Sequence, residues 1–466
     1  MLVLGHFKMK FLFALCVLAL AACSDAGVSM NDPFYCYATD WIRPQNQMHS
    51  VRTSYEAIRR TEVDPTVSSC TPSRFWFLGR HGGRLPETPV MIDMQNFANS
   101  SIQADIIRNS ERGRTTLCRQ DIELIRNWVM DPNITLEHEA ATTVAGWTAM
   151  QNIARRYQQF FPNLLPNVYN SSWYHFRNSI TRRSFASIRG FVDGLFGDGG
   201  WNAVGFEPIP DVDSFLRPID FCQMFMDETA TLPERQAFEE GPEVEQMVDE
   251  VNHRLGFHGS SSLSFRTLWT MWEWCRFETA SQFELSNSSI GEASVWCAPF
   301  TVSHNAVLEY YADLGYSYFT GYGVTNRRLI ENLNCGLMQD LLLYFGANPA
   351  DVNSRARIFV TDSQMVQSFL VTLGALEDEH QMHQFNFAQQ SFRQWKTSFV
   401  TPNAANIAVV RYDCADGDHD VQFLMNERPL QIPGCQTNGL CKVSYIESRF
   451  RRFGSASCAQ LFCSEN

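Results

Sequence analysis

The chain has 466 residues, 45% hydrophobic, 13% aromatic and 19% charged, which suits a large packed core and excludes a disordered chain. A formal net charge of −13 argues against a general nucleic-acid binder, which would carry a basic face, and against a polybasic membrane-surface protein. It leaves room for a local basic pocket, and the positive residues are nearly all arginine, since Lys8, Lys10, Lys396 and Lys442 are the only lysines.

Lys8 and Lys10 precede an apolar run, Phe11 to Leu20, which Ala21, Ala22 and Ala26 follow. A basic start, an apolar stretch too short to span a bilayer and a small-residue cleavage region predict a signal peptide over residues 1–26. Leu20-Ala21-Ala22-Cys23 also fits a bacterial lipoprotein box, a rival reading. No later uninterrupted run of about twenty apolar residues occurs, so no stable membrane span is expected. Past Ala26 comes an even set of cysteines: Cys36, Cys70, Cys118, Cys222, Cys275, Cys297, Cys335, Cys414, Cys435, Cys441, Cys458 and Cys463. Without a CxxC spacing they point to disulfides rather than a zinc knuckle, and spacing alone leaves the pairing open. Glycosylation sequons at Asn99, Asn133, Asn170 and Asn287 fit secretion or the lumen of the secretory pathway.

Phe75-Trp76-Phe77-Leu78, bounded by Pro72 and by Gly79, Gly82 and Gly83, predicts a buried strand running into a glycine-rich loop. Residues from about 200 to 300 carry little strand signal, and Val244 to Leu255 and Ser264 to Phe277 read as helices. Ile358-Phe359-Val360 predicts a second strand, followed by the polar turn Thr361-Asp362-Ser363. Met365, Val366, Phe369, Leu370 and Leu373 then recur at helical spacing until Gly374, completing half a βα unit. Ile407 to Val410 is a third strand. The expected fold class is α/β, with a core from residues 27–197 and 300–466 and a mostly helical insertion at about 198–299.

The chemistry concentrates in Arg80-His81-Gly82-Gly83-Arg84-Leu85-Pro86 at the carboxyl end of the first strand. Two guanidiniums beside an imidazole favour its neutral, nucleophilic form, and the same two forks suit phosphoryl oxygens. A surface loop with a satisfied histidine remains the alternative on spacing alone.

Arg-His-Gly-x-Arg-x-Pro after an apolar strand resembles the signature of the histidine acid phosphatases. Phe176-Arg177-Asn178-Ser179 with Arg183-Ser184 and Ser187, Tyr310-Tyr311-Ala312-Asp313-Leu314, Asn403-Ala404-Ala405-Asn406 and Asn426-Glu427-Arg428-Pro429 are similar to blocks of the multiple inositol polyphosphate phosphatase branch. The resemblance covers most of the chain in order. It implies a histidine phosphatase fold over residues 27–466 and an inositol polyphosphate as small-molecule substrate. In the implied chemistry His81 attacks phosphorus, and Arg80, Arg84 and Arg183 hold the phosphoryl oxygens. No metal or other cofactor is required.

One block departs from the family. Members carry His-Ala-Glu, or His-Asp in other branches, where this chain has Thr361-Asp362-Ser363. Thr361 then takes the phosphate-contacting histidine's place, and Asp362 falls where the His-Asp branches keep their proton donor. Asp362 reads equally as an ordinary helix N-cap. A phosphomonoesterase on inositol polyphosphates is therefore the leading expectation. A secreted inositol-phosphate-binding pseudophosphatase and a broad-specificity acid phosphatase are the alternatives.

Other clusters read as structural. Asp416, Asp418 and Asp420 alternate ahead of Glu427, but Val421 stands where a calcium loop needs glycine, so a polar hairpin turn is expected. His138-Glu139 lacks the second histidine of a zinc helix. His380 and His383 read as a polar surface loop, with a loop folded back to replace the missing histidine as their rival reading; the arginines at 108, 112, 114 and 182 read as surface, with an extended basic pocket as theirs.

Overall fold

The structure, a computed structural model, describes residues 32–60, 63–283, 294–346 and 353–465. The expected signal peptide and the sequon at Asn287 lie outside them.

A seven-stranded sheet runs in the order β2-β3-β1-β4-β5-β6, with β7 also paired to β5. The strands are β1 (Cys70–Arg80), β2 (Tyr174–Asn178), β3 (Ala356–Thr361), β4 (Asn406–Cys414), β5 (Asp420–Met425), β6 (Arg428–Pro429) and β7 (Leu440–Lys442). β1 and β2 each pair with β3 in parallel, whereas β4 and its neighbours are antiparallel. The apolar run of β1 is continuous because both faces of the sheet are covered. Phe75 and Phe77 face one layer, where Phe77 packs 4.7 Å from Phe191 and Phe75 lies 5.3 Å from Tyr157. Trp76 and Leu78 face the other, where Trp76 meets Phe359 and Phe369.

The first layer holds α1 (Val144–Phe160) and α2 (Arg182–Phe196). On the opposite face, α3 (Pro242–Leu255), α4 (Phe265–Phe283), α5 (Val302–Thr320) and α6 (Ser363–Leu373) share one core. The two helices expected from periodicity are α3 and α4, and α6 stops at Gly374 (φ +72°), a left-handed position that suits glycine. Among the described residues no strand lies between Asn178 and Ala356, so the strand-free stretch extends beyond the expected 198–299.

All twelve cysteines among the described residues pair, as Cys36–Cys118, Cys70–Cys414, Cys222–Cys463, Cys275–Cys297, Cys335–Cys458 and Cys435–Cys441. Cys70 and Cys414 are sheet partners on β1 and β4. Six bridges fit an oxidising compartment. Among the described residues no helix is long and apolar enough to cross a membrane.

Candidate active site

Parallel pairing sets Arg80 of β1 opposite Thr361 of β3, so both strands end at one edge of the sheet. Ligand sites of α/β sheets form at that edge, outside the carboxyl ends of the strands. His81 N–H donates to the Thr361 carbonyl (2.9 Å), and Ala404 N–H donates to the His81 carbonyl (3.0 Å). Gly82 N–H donates to Ser187 Oγ on α2 (2.9 Å). The amino end of α1 presses on the same loop, where Thr143 N–H donates to the Gly83 carbonyl. A Cβ on Gly82 would lie 2.2 Å from the Gly146 carbonyl oxygen, so backbone touches backbone and no larger residue fits.

His81 is buried, and its Nδ1 lies 2.8 Å from the Gly82 carbonyl. A carbonyl only accepts, so Nδ1 carries the proton and Nε2 keeps the lone pair. Burial first, then Arg80, Arg84 and Arg183, hold the imidazole well below its usual basicity. The result is a neutral imidazole held in one orientation, with the Nε2 lone pair left free.

The arginines around it are restrained. Arg80 donates to the carbonyls of Thr401 (2.8 Å) and Val51, and burial followed by Arg52 lowers its guanidinium to about 9. Arg84 donates to the Leu85 carbonyl (2.9 Å) and to Glu87 Oε1 (2.8 Å). Burial, then Arg52, lowers Arg84 as well. Burial alone would raise Glu87, but Arg84 and then Arg52 outweigh it and hold the carboxyl below its ordinary value.

Asp362 stands at the N-cap position of α6, yet its side chain makes no capping hydrogen bond. Its Oδ1 lies 3.4 Å from His81 Nε2 and accepts from Arg183 Nε (2.7 Å) and Nη2 (2.6 Å). Its Oδ2 accepts from Arg217 Nη1. The carboxylate is thus committed to the site rather than to the helix.

Thr361 departs from expectation. Its hydroxyl is fully buried and donates 2.6 Å to the Leu216 carbonyl, so the hydrogen foreseen for a phosphate is spent on the loop carrying Arg217. A short hydroxyl reaches only its immediate neighbour, and here that is backbone.

These geometric relations acquire a family through sequence comparison, in which the description "Histidine phosphatase superfamily (branch 2)" matches residues 76–426. The chain belongs to that superfamily. Within it, the chain is 31% identical over 450 residues to multiple inositol polyphosphate phosphatase 1 of Drosophila melanogaster, covering 94% of this chain and 91% of the relative. The human protein of that name is 23% identical over 400 residues, covering 79% and 77%. Two solved structures share the fold. The phytase from D. castellii superposes with a TM-score of 0.68 at 14% identity over 90% of this chain and 87% of that one. The Bifidobacterium longum multiple inositol polyphosphate phosphatase in complex with inositol hexasulfate gives 0.64 at 12% identity over 88% and 98%.

Around this candidate site the sequence missed three charged residues. Arg217 sits outside any periodic element, and Glu87 reads as a helix-start acid. Arg52 lies over the Phe277 ring at 4.7 Å and is the leading charged neighbour lowering both Arg80 and Arg84. A cavity of about 1070 Å³ adjoins the loop through Leu85 and Pro86 and does not include His81.

The structural readings of the remaining clusters fit their positions. Asp416 and Asp418 are exposed in the β4–β5 turn, while Glu427 is buried against Arg156 and Tyr55. His138 is exposed, His380 is exposed, and His383 is tied to Phe385 and Asn386. The arginines at 108, 112, 114 and 182 are exposed. Three His, Cys and Asp groups fall within ligand distance among the described residues, and each contains a disulfide-bonded cysteine pair, which does not ligate metal as thiolate.

Proposed function

We propose that the chain hydrolyses phosphomonoesters of inositol polyphosphates through a phosphohistidine intermediate. The observation that carries this reading is a neutral His81 Nε2 set among Arg80, Arg84 and Arg183, with Asp362 Oδ1 3.4 Å away. The names of the relatives, inositol polyphosphate phosphatases along most of the chain, supply the substrate class.

In this mechanism Nε2 attacks phosphorus in line, a nitrogen–phosphorus bond forms, and the bond to the leaving oxygen breaks. Asp362, which takes up a proton from acidic solvent at Oδ1 as the phosphoryl group draws Arg183 away, gives it to that oxygen, because an inositol alkoxide is a poor leaving group. Water then attacks the phosphohistidine, Asp362 takes the water proton, and inorganic phosphate leaves His81 neutral again. The arginines neutralise charge on the equatorial oxygens throughout. The covalent chemistry rests on side chains of this chain alone.

The test is phosphate release from inositol hexakisphosphate by the purified protein, in chelator, from pH 3 to 8. Release at acidic pH that His81→Ala abolishes is expected. Tight inositol hexakisphosphate binding without release would instead make the chain a binder, with Arg80, Arg84 and Arg183 as a clamp. Equal rates on small aryl phosphates would make it an acid phosphatase of broad specificity.

A further inference from the structure

Asp362 is held from two sides, and the two sides differ in what substrate does to them. Oδ1, the oxygen nearest His81 Nε2, accepts from Arg183. Oδ2 accepts from Arg217. A phosphoryl group over His81 brings several charged acceptor oxygens and competes directly for Arg183, which lowers the His81 basicity and so lies close to it. Were Arg183 the only grip, Asp362 would lose its orientation on substrate binding, at the moment when a proton must be delivered.

Arg217 is built to stay. Its Nε donates to Asp220, and burial, which would lower its basicity, is outweighed by Asp362 and Asp220. Its loop is pinned at three points. Asp213 accepts from Phe215 N–H (3.3 Å) and Leu216 N–H (2.9 Å) while paired with Arg177 at 2.8 Å. Arg217 N–H donates to the Asp213 carbonyl (2.9 Å). Thr361 Oγ1 donates to the Leu216 carbonyl at 2.6 Å, tying the loop to the strand end that precedes Asp362.

We infer that Arg217 is the positioning residue for Asp362: it keeps Oδ2 fixed while substrate takes Arg183, leaving Oδ1 aimed at the leaving oxygen, and Thr361 is the anchor that delivers it. This inference rests on the proposed phosphatase reading and gives that reading a second arginine with a separate task. Arg183 serves the phosphoryl group, and Arg217 serves the acid.

The experiment compares inositol hexakisphosphate, whose alkoxide needs a proton, with p-nitrophenyl phosphate, whose phenolate does not. Arg217→Gln is expected to lower kcat on inositol hexakisphosphate by about 10-fold or more, while the first-turnover burst of nitrophenolate falls less than about 3-fold, because misplacing a general acid forfeits part of its 10²–10⁴-fold contribution. The alkaline limb of its pH profile, where a proton donor is lost, should shift with that loss. Arg217→Lys should recover part of the rate. In Asp362→Asn, adding Arg217→Gln should cost nothing further, since the arginine acts through that carboxylate. Thr361→Val should repeat the substrate-selective loss, and Thr361→Ser, which keeps the hydroxyl, should repeat it less. Equal losses on both substrates, or effects of Arg217→Gln and Asp362→Asn that multiply, would overturn the inference. So would a wild-type profile in Arg217→Gln. Failure of the wild-type protein to release phosphate from either substrate would instead overturn the phosphatase reading beneath it.

Discussion

Replacing Asp362 by asparagine keeps the side-chain shape and removes the proton. The Asp362 side chain is 7% exposed and bridges Arg183 and Arg217, whose side chains are 17% and 18% exposed. An asparagine amide can accept from one guanidinium, but its NH2 then faces the other, donor against donor. Water at those partly open arginines, with Asp220 and Glu87 nearby, softens the loss, so the stability cost is about 1–3 kcal/mol rather than the 3–5 of a sealed ion pair. The fold should survive. Loss of a general acid costs about 10²–10⁴-fold, or roughly 3–5 kcal/mol in the barrier. Steady-state release from inositol hexakisphosphate should therefore fall by at least about 10²-fold. On p-nitrophenyl phosphate, stopped-flow should still record a fast burst, followed by slow turnover because water attack has lost its base. A burst slowed as much as the inositol hexakisphosphate rate would refute Asp362 as proton donor and leave it a holder of arginines.

Other perturbations test the frame around the site. Gly146→Ala sets a Cβ 2.1 Å from the Gly83 carbonyl oxygen; the roughly 1 kcal/mol gained in helix propensity is outweighed by a shift of about 1 Å in the His81 loop, and kcat should drop by about 10²-fold with little change in circular dichroism. Burial, then Asp313, pushes Glu309 up to about 7, beside Arg393, Lys396 and Ser398. A carboxyl raised on folding stabilises the protein below its unfolded value near 4.5 and loses that contribution as pH climbs through 7. Thermal midpoints should fall over this window by the equivalent of up to about 3 kcal/mol, and Glu309→Gln should flatten the fall. Asn99, Asn133 and Asn170 are exposed, so protein secreted from eukaryotic cells should lose mass on glycosidase treatment, and Asn→Gln at each should remove one step. Non-reducing peptide mapping should recover Cys70 joined to Cys414 and Cys335 joined to Cys458.

The parts of the site legible in the sequence are those carried by local pattern. Phe75 to Leu78 announces a strand covered on both faces, and the glycines after it announce close backbone approach. Asp362 was ambiguous because the residue before an amphipathic run is equally a cap and a strand-end functional group. Only the distance to His81 and the two arginine partners separate those roles. The Thr361 contact is not legible in the sequence, because its hydroxyl partner is a backbone carbonyl 145 positions away, which no spacing reveals. Arg217 was invisible for the same reason: its position follows from Asp213, Arg177 and Thr361 acting together. The disulfide pairing is tertiary too, and its bridges span from 6 to 344 residues.

β1 emerges early in synthesis as a hydrophobic aromatic strand, and both of its neighbours in the sheet, β3 and β4, come from the last quarter of the chain. For most of translation this segment has no partner on either edge, so it is exposed to mispairing until β3 and β4 arrive. His81 is made long before anything in the chain can place it, and its surroundings are complete only after β3 and β4 have been delivered. An enzyme assembled in that order is inert as a fragment, and losing even its final strands should silence a histidine that lies hundreds of residues upstream.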